Sequence, residues 1–365
     1  MRVIHSCPSP CKALGPATAV LIGALALPLH GSPYIGPIAP IDSGFGADGP
    51  FEMVADTVPA RFMHHRPVYV YRPVGADAPR PVVFFFPAFL SWDPASYNHL
   101  IRHLVSRGYC VVYPAYRLAQ FPYQRRTYKR LFSGATAGMK SLGELADTSR
   151  IGFAGHSFGG SAIPPFAWSC LRERGWGANG TFMYIMAPFF MFRCRQERLE
   201  DFPDHVKMIV QVYEDDDCND HRMAKDIFEA ITIPPGNKDF IILRSDTCPA
   251  TGYRLIADHG VPFSGKDSEG EIDGADFYGV FRLIDALAEH AFTGDTTAGN
   301  VALGNGSLVQ RYMGTWPDGT PVRPPVITDE APLLRPRKAF YFKWTHPWNL
   351  RRRWDQVILD DPWDE

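Results

Sequence analysis

An α/β fold built on a mostly parallel, doubly wound sheet flanked by helices is predicted for this chain by three observations. Short, mostly apolar segments that read as strands recur at residues 82–86, 109–113, 151–154, 181–186, 206–212 and 240–243, the first of them a continuous apolar run as in a strand buried on both faces. Stretches with helical spacing of apolar residues lie between most of them. No internal repeat and no long charged linker interrupts the alternation, so a single sheet covered on both sides is the expected outcome.

Taken in order, residues 33–60 are rich in Pro, Gly and Asp and read as an extended lead-in. A domain spanning 61–294 follows. Val68 and Val70 alternate with polar or aromatic neighbours, which predicts an early antiparallel strand closed by Pro73 and a turn between Gly75 and Pro81. The run 82–86 stops at Pro87. Asp93-Pro94 then starts a helix whose Tyr97, Leu100, Ile101 and Leu104 share one face and which ends at Gly108. Residues 109–113, with Cys110 in the core, complete a β-α-β unit. Further helices are predicted over 134–145, 161–174, 223–231 and 276–291, the second of them despite Pro164 and Pro165. Residues 295–365 turn to Gly, Pro, Arg and Trp and read as an extension wrapped on the domain or partly disordered.

The 365 residues can bury a full enzyme-sized core. A formal charge of −2 offers no basic excess to attract nucleic acid or an anionic membrane. The aromatic content of 13% leaves room for a spacious apolar pocket. Residues 1–32 hold Arg2, Lys12 and the apolar run 17–27 with an Ala24-x-Ala26 site, the pattern of a secretory signal or apolar leader. That run is too short for a stable membrane span. Export to a periplasm or the medium is the expectation, with the cytoplasm as the alternative. Cys7 and Cys11 would leave with a cleaved leader, and the other five of the seven cysteines include no C-x-x-C pair, so a zinc site is not expected.

The chemistry is concentrated at Gly155-His156-Ser157-Phe158-Gly159. This is the G-x-S-x-G pattern in which glycines make room for a serine on a tight strand-to-helix turn. A serine hydroxyl needs a base within hydrogen-bond reach and a carboxylate to orient that base. In a doubly wound sheet both follow later in the chain, in the order Ser, Asp, His. Residues 213–221 form an acidic turn after a strand, and Asp216 is the expected acid, with Asp215 and Asp217 one residue off in register. The spacing of a calcium loop is absent there. His259, in Asp258-His259-Gly260, is the expected base. The separations of 59 and 43 residues leave no room for a large cap domain. His156 reads as turn packing and His221 as a neighbour of the acid turn, whereas His64, His65, His99, His103, His205, His290 and His346 show no ligand spacing and read as ordinary surface or helix residues. The oxyanion donors are expected to be the backbone N–H groups of Phe158 and Phe89. Trp92, Met186 and Phe189, with Phe89 and Phe158, are expected to line the substrate pocket.

These residues, together with Pro87-Ala88-Phe89 and the run 150–160, resemble the α/β-hydrolase group that includes dienelactone hydrolases, chlorophyllases, polyester-degrading cutinases and platelet-activating factor acetylhydrolases. The resemblance covers roughly residues 50–293. It implies the α/β-hydrolase fold and hydrolysis of a small-molecule or lipid-like carboxylic ester through an acyl-enzyme, with no cofactor. Thioesterase, amidase and perhydrolase reactions use the same residues, and a catalytically silent binding module is the reading from another class. Ala88 and Asp220 depart from the group's usual Gly and Pro.

Overall fold

The computed structural model describes residues 34–59, 67–116, 124–192, 194–264, 272–328 and 340–353. The expected leader, 1–32, lies outside the described residues. At the centre is a nine-stranded sheet in the order β1-β2-β4-β3-β5-β6-β7-β8-β11. Its strands are β1 Met53–Val58, β2 Val68–Pro73, β3 Arg80–Phe86, β4 Cys110–Pro114, β5 Ala146–His156, β6 Thr181–Met186, β7 Lys207–Tyr213, β8 Lys238–Leu243 and β11 Val326–Thr328. The six strands from β4 to β8 are parallel, and β1, β2 and β11 close the edges antiparallel. A short hairpin, β9 Asp246–Thr247 with β10 Arg254–Leu255, stands apart.

Alternation along the central strands feeds two cores. Val82, Phe84 and Phe86 point into one, with helices α2 Gln124–Leu142, α3 Phe158–Trp168, α4 Gln196–Leu199 and α5 Arg222–Ala230. Val83 and Phe85 point into the other, with α1 Asn98–Ser106, α6 Arg282–Thr293 and α7 Thr296–Ala302. The chain leaves β3 in one direction to reach β4, then crosses back to β5 and continues the other way. Right-handed crossovers taken in opposite directions put α1 and α2 on opposite faces. The reversal falls between β3 and β5, and in sheets of this kind ligand sites form at the carboxyl ends of the strands flanking such a point.

Three features depart from the reading of the sequence. The helix expected over 134–145 starts ten residues earlier, at Gln124. The helices expected over 161–174 and 276–291 each contain a π-helical turn, Ser169–Glu173 after the proline-bearing α3 and Ala275–Phe281 before α6. His103 is not a surface residue: it is buried between Asp285, 3.0 Å from Nε2, and Asp48, 2.9 Å from Nδ1, and stacks on Phe281.

The segment after Gly294 is tied to the sheet. β11 pairs antiparallel with β8, Gln310 Nε2 donates to Asp239 Oδ2, and Trp344 is buried in the core beside α5. Cys110, Cys170, Cys194, Cys218 and Cys248 are free thiols. Among the described residues, no helix is long and apolar enough to cross a membrane.

Candidate active site

Ser157 sits between β5 and α3 with φ 53° and ψ −118°, a backbone conformation that L-residues avoid. Such strain costs on the order of 1–3 kcal/mol and persists only where the surroundings enforce it. Here the Ser157 N–H donates to Met186 O at 2.9 Å and its carbonyl accepts from Phe189 N at 3.0 Å. The turn also relies on its glycines. A Cβ on Gly155 would stand 2.9 Å from Phe86 O, and one on Gly159 would stand 2.0 Å from the same atom. The first turn of α3 therefore lies directly on the end of β3. Phe158 opens α3, so its N–H has no acceptor within the helix, and the positive end of the helix dipole faces the Ser157 turn.

The loop leaving β3 is held by three buried tyrosines. Tyr97 Oη accepts from Ala88 N at 3.0 Å, Tyr116 Oη donates to Ala88 O at 2.8 Å, and Tyr113 Oη donates to Ser91 O. Burial pushes all three hydroxyls well above the ordinary tyrosine range, so each stays protonated and able to donate. Tyr97 Oη also hydrogen-bonds with His156 Nδ1, 2.9 Å away. Burial, aided by the neighbouring His259, holds His156 well below the usual histidine pKa, and the ring is neutral. Phe89 lies in the loop clamped this way, with its ring 6.0 Å from that of Phe158.

Of the three adjacent aspartates, Asp216 is the one that meets His259, with Oδ2 2.8 Å from Nδ1. Asp215 turns to Ser245 Oγ at 2.6 Å, and the backbone carbonyl of Asp217 accepts from Tyr341 N at 2.7 Å. Asp216 is fully buried and its other oxygen accepts from Cys218 N and Asn219 N. Burial opposes a charge on His259, but the Asp216 carboxylate and its hydrogen bond outweigh it, with the Cys218 thiol adding a little. The ring's proton affinity is therefore raised. The remaining carboxylates of the turn face separate cations: Glu214 grips Arg323 through both oxygens, and Asp220 pairs with buried Arg222. They do not converge on one centre.

Ser157 and Phe158 follow β5, the Phe89 loop follows β3 and Asp216 follows β7; Asn219 links Ser157 Oγ to Asp216 through its side-chain and backbone N–H groups, and the rings of His156 and His259 lie 4.6 Å apart. Two details were not legible in the sequence. Among the described residues, Ser157 Oγ makes its hydrogen bond with Asn219 Nδ2, at 3.2 Å, and not with His259. The tyrosine clamps also went unseen, since helical spacing marks Tyr97 only as core.

Of the expected pocket residues, Phe89 and Trp92 are partly exposed, and Phe189 is buried against Phe342 with ring centroids 4.8 Å apart. Phe158 is buried among Tyr116, Tyr128 and Phe192. Met186 does not reach an open surface, because its side chain is wholly buried in the core on the α6 side of the sheet.

Chemically, a strained serine at a helix amino end, beside a histidine whose proton affinity a buried carboxylate raises, can serve nucleophilic attack with general-base assistance. Comparison with models of known protein families gives no match, and comparison with curated proteins gives no significantly similar sequence.

Proposed function

We propose that the chain is a serine hydrolase of the α/β-hydrolase fold that cleaves carboxylic esters through an acyl-enzyme. The observation that carries this reading is the strained Ser157 turn linked through Asn219 to the 2.8 Å Asp216–His259 pair. In the proposed reaction, Ser157 Oγ attacks the ester carbonyl while His259 Nε2 takes its proton. Asp216 holds the ring through Nδ1–H and stabilises the imidazolium that forms. The Phe158 and Phe89 amides stabilise the oxyanion, His259 returns the proton to the departing alcohol, and water then releases the acid by the same steps in reverse. Phe89, Trp92 and Phe189 supply apolar surface for the uncharged part of the substrate.

A fluorophosphonate probe tests the reading. Covalent labelling of the wild-type chain and none of Ser157→Ala is the expected result. Absence of labelling in a folded wild-type sample would overturn it in favour of a catalytically silent binding module.

A further inference from the structure

We infer that Asn219 is a further catalytic residue, a side-chain donor to the nucleophile oxygen itself; this rests on the serine-hydrolase reading above. Asn219 Nδ2 lies 3.2 Å from Ser157 Oγ and 2.9 Å from the carbonyl oxygen of Ala187. The second contact decides which way the amide faces. With the amide reversed, its oxygen would oppose the Ala187 carbonyl, two acceptors in contact with no proton between them. The NH2 end is therefore the one presented to Ser157.

Two further observations mark this side chain as more than packing. Asn219 is only 2% exposed, and its Oδ1 is buried without a hydrogen-bond partner among the described residues. Native interiors seldom leave a polar atom in that condition, and an aliphatic side chain of similar volume would fill the space without the penalty. What the asparagine adds is the N–H aimed at Oγ. Its backbone N–H also donates to Asp216 Oδ1 at 3.1 Å, so one residue braces the acid through its main chain and the nucleophile through its side chain. Asn219 is in turn fixed from outside by the carboxyl-terminal segment, which bridges to it through Phe342.

The chemistry follows from the direction of the bond. Because Ser157 Oγ accepts from Asn219, its own proton is left to donate toward a base. Negative charge gathers on Oγ as that proton leaves, and again when the acyl group departs from it in the second half of the reaction. A fixed donor strengthens its hold on the oxygen at both moments.

The test compares wild type with Asn219→Leu and Asn219→Asp, reading melting temperature and the pH dependence of both fluorophosphonate labelling and p-nitrophenyl acetate hydrolysis. Neither substitution touches the backbone brace on Asp216. The expected result is a fall in the plateau rate of both reactions by about ten- to a hundredfold, the worth of a hydrogen bond to a charged group. In the leucine variant the acid limb should stay at the wild-type pH, and in both variants the loss should fall on kcat. A plateau equal to wild type overturns the inference. So does an acid limb displaced toward lower pH, which would mean that Asn219 acts only by shaping the Asp216 turn. If the leucine variant does not fold, the near-isosteric aspartate variant decides alone by its plateau rate, since its added carboxylate moves the acid limb upward by itself. Failure of wild type to label at all would overturn the hydrolase reading instead, so the two failures are distinguishable.

Discussion

Gly159 packs so closely on Phe86 that a Cβ at 159 would stand 2.0 Å from the Phe86 carbonyl oxygen and 2.4 Å from its carbon. Both obstacles are main chain, so no side-chain rotation can relieve the clash. Gly159→Ala must therefore part α3 from β3, and it should destabilise the fold by more than about 4 kcal/mol, at the extreme of single substitutions. Gly236→Ala is the control, since nothing lies within 4 Å of a Cβ there. It should stay within about 0.5 kcal/mol of wild type. Denaturant unfolding of the two variants checks the pair, and comparable stability would mean that the turn is looser than its geometry.

In the proposed reaction the Asp216–His259 pair would set the pH dependence. A general base works only when unprotonated, and the carboxylate raises the proton affinity of His259 above its ordinary value. The acid limb of kcat/KM should therefore have its midpoint above the ordinary histidine value of about 6.5, with the rate rising as pH increases through it. Asp216→Asn removes the charge and leaves the burial that opposes protonation. Its limb should move to lower pH, and the plateau should drop by about 10³- to 10⁴-fold as ring orientation and tautomer are lost. A pH profile that does not move on this substitution would exclude His259 as the titrating base.

Much of this site was legible in the residues, and the remainder was not for identifiable reasons. The buried strands announce themselves because both faces need apolar side chains, as at Val82 and Val83. The Ser157 turn announces itself because only glycine fits at 155 and 159. Asp215, Asp216 and Asp217 are chemically equivalent neighbours, and only tertiary contacts separate them: Ser245 captures one and His259 another. Asn219 and the tyrosine clamps were hidden for the same reason. Each acts through a partner outside its own element, and an isolated Asn or Tyr carries no spacing signal. The carboxyl-terminal segment is the extreme case, since Trp344 N reaches Asp220 Oδ2 across 124 residues.

His103 makes stability depend on pH in a direction opposite to most buried carboxylates. Burial alone would lower its pKa, but Asp285 and Asp48 overcome this and raise it to about 9. Arg107, 3.5 Å from Asp285, is the like charge that faces the pair. With the folded value above the unfolded one, the contribution is complete below about pH 6.5 and is lost as pH climbs through the folded pKa. Its size is on the order of a few kcal/mol. Unfolding free energies of wild type and His103→Gln, measured from pH 6 to 10, should converge toward the alkaline end. A constant gap would show that the charge on His103 plays no part.

Trp344 joins the carboxyl-terminal segment to the acid turn, and its replacement should reach the chemistry without touching a reacting group. The side chain is 1% exposed and packs in the core of the α5 face, while its backbone N–H donates to Asp220 Oδ2 at 2.8 Å. Around it, Phe342 N donates to Cys218 O at 2.8 Å and Asp220 N donates to Phe342 O at 3.1 Å, so residues 341–344 run beside the turn that carries Asp216 and Asn219. Trp344→Ala should cost about 3–5 kcal/mol through the cavity it leaves. It should also lower kcat at temperatures where the fold persists, because the turn loses its outer support. Trp344→Phe keeps most of the apolar volume, and the indole N–H it removes has no partner among the described residues. That variant should lose less than about 1.5 kcal/mol and keep its kcat. Thermal melts paired with ester hydrolysis at 25 °C separate the two effects: if Trp344→Ala lowers the melting temperature and leaves kcat intact, the segment stabilises the fold without bracing the site.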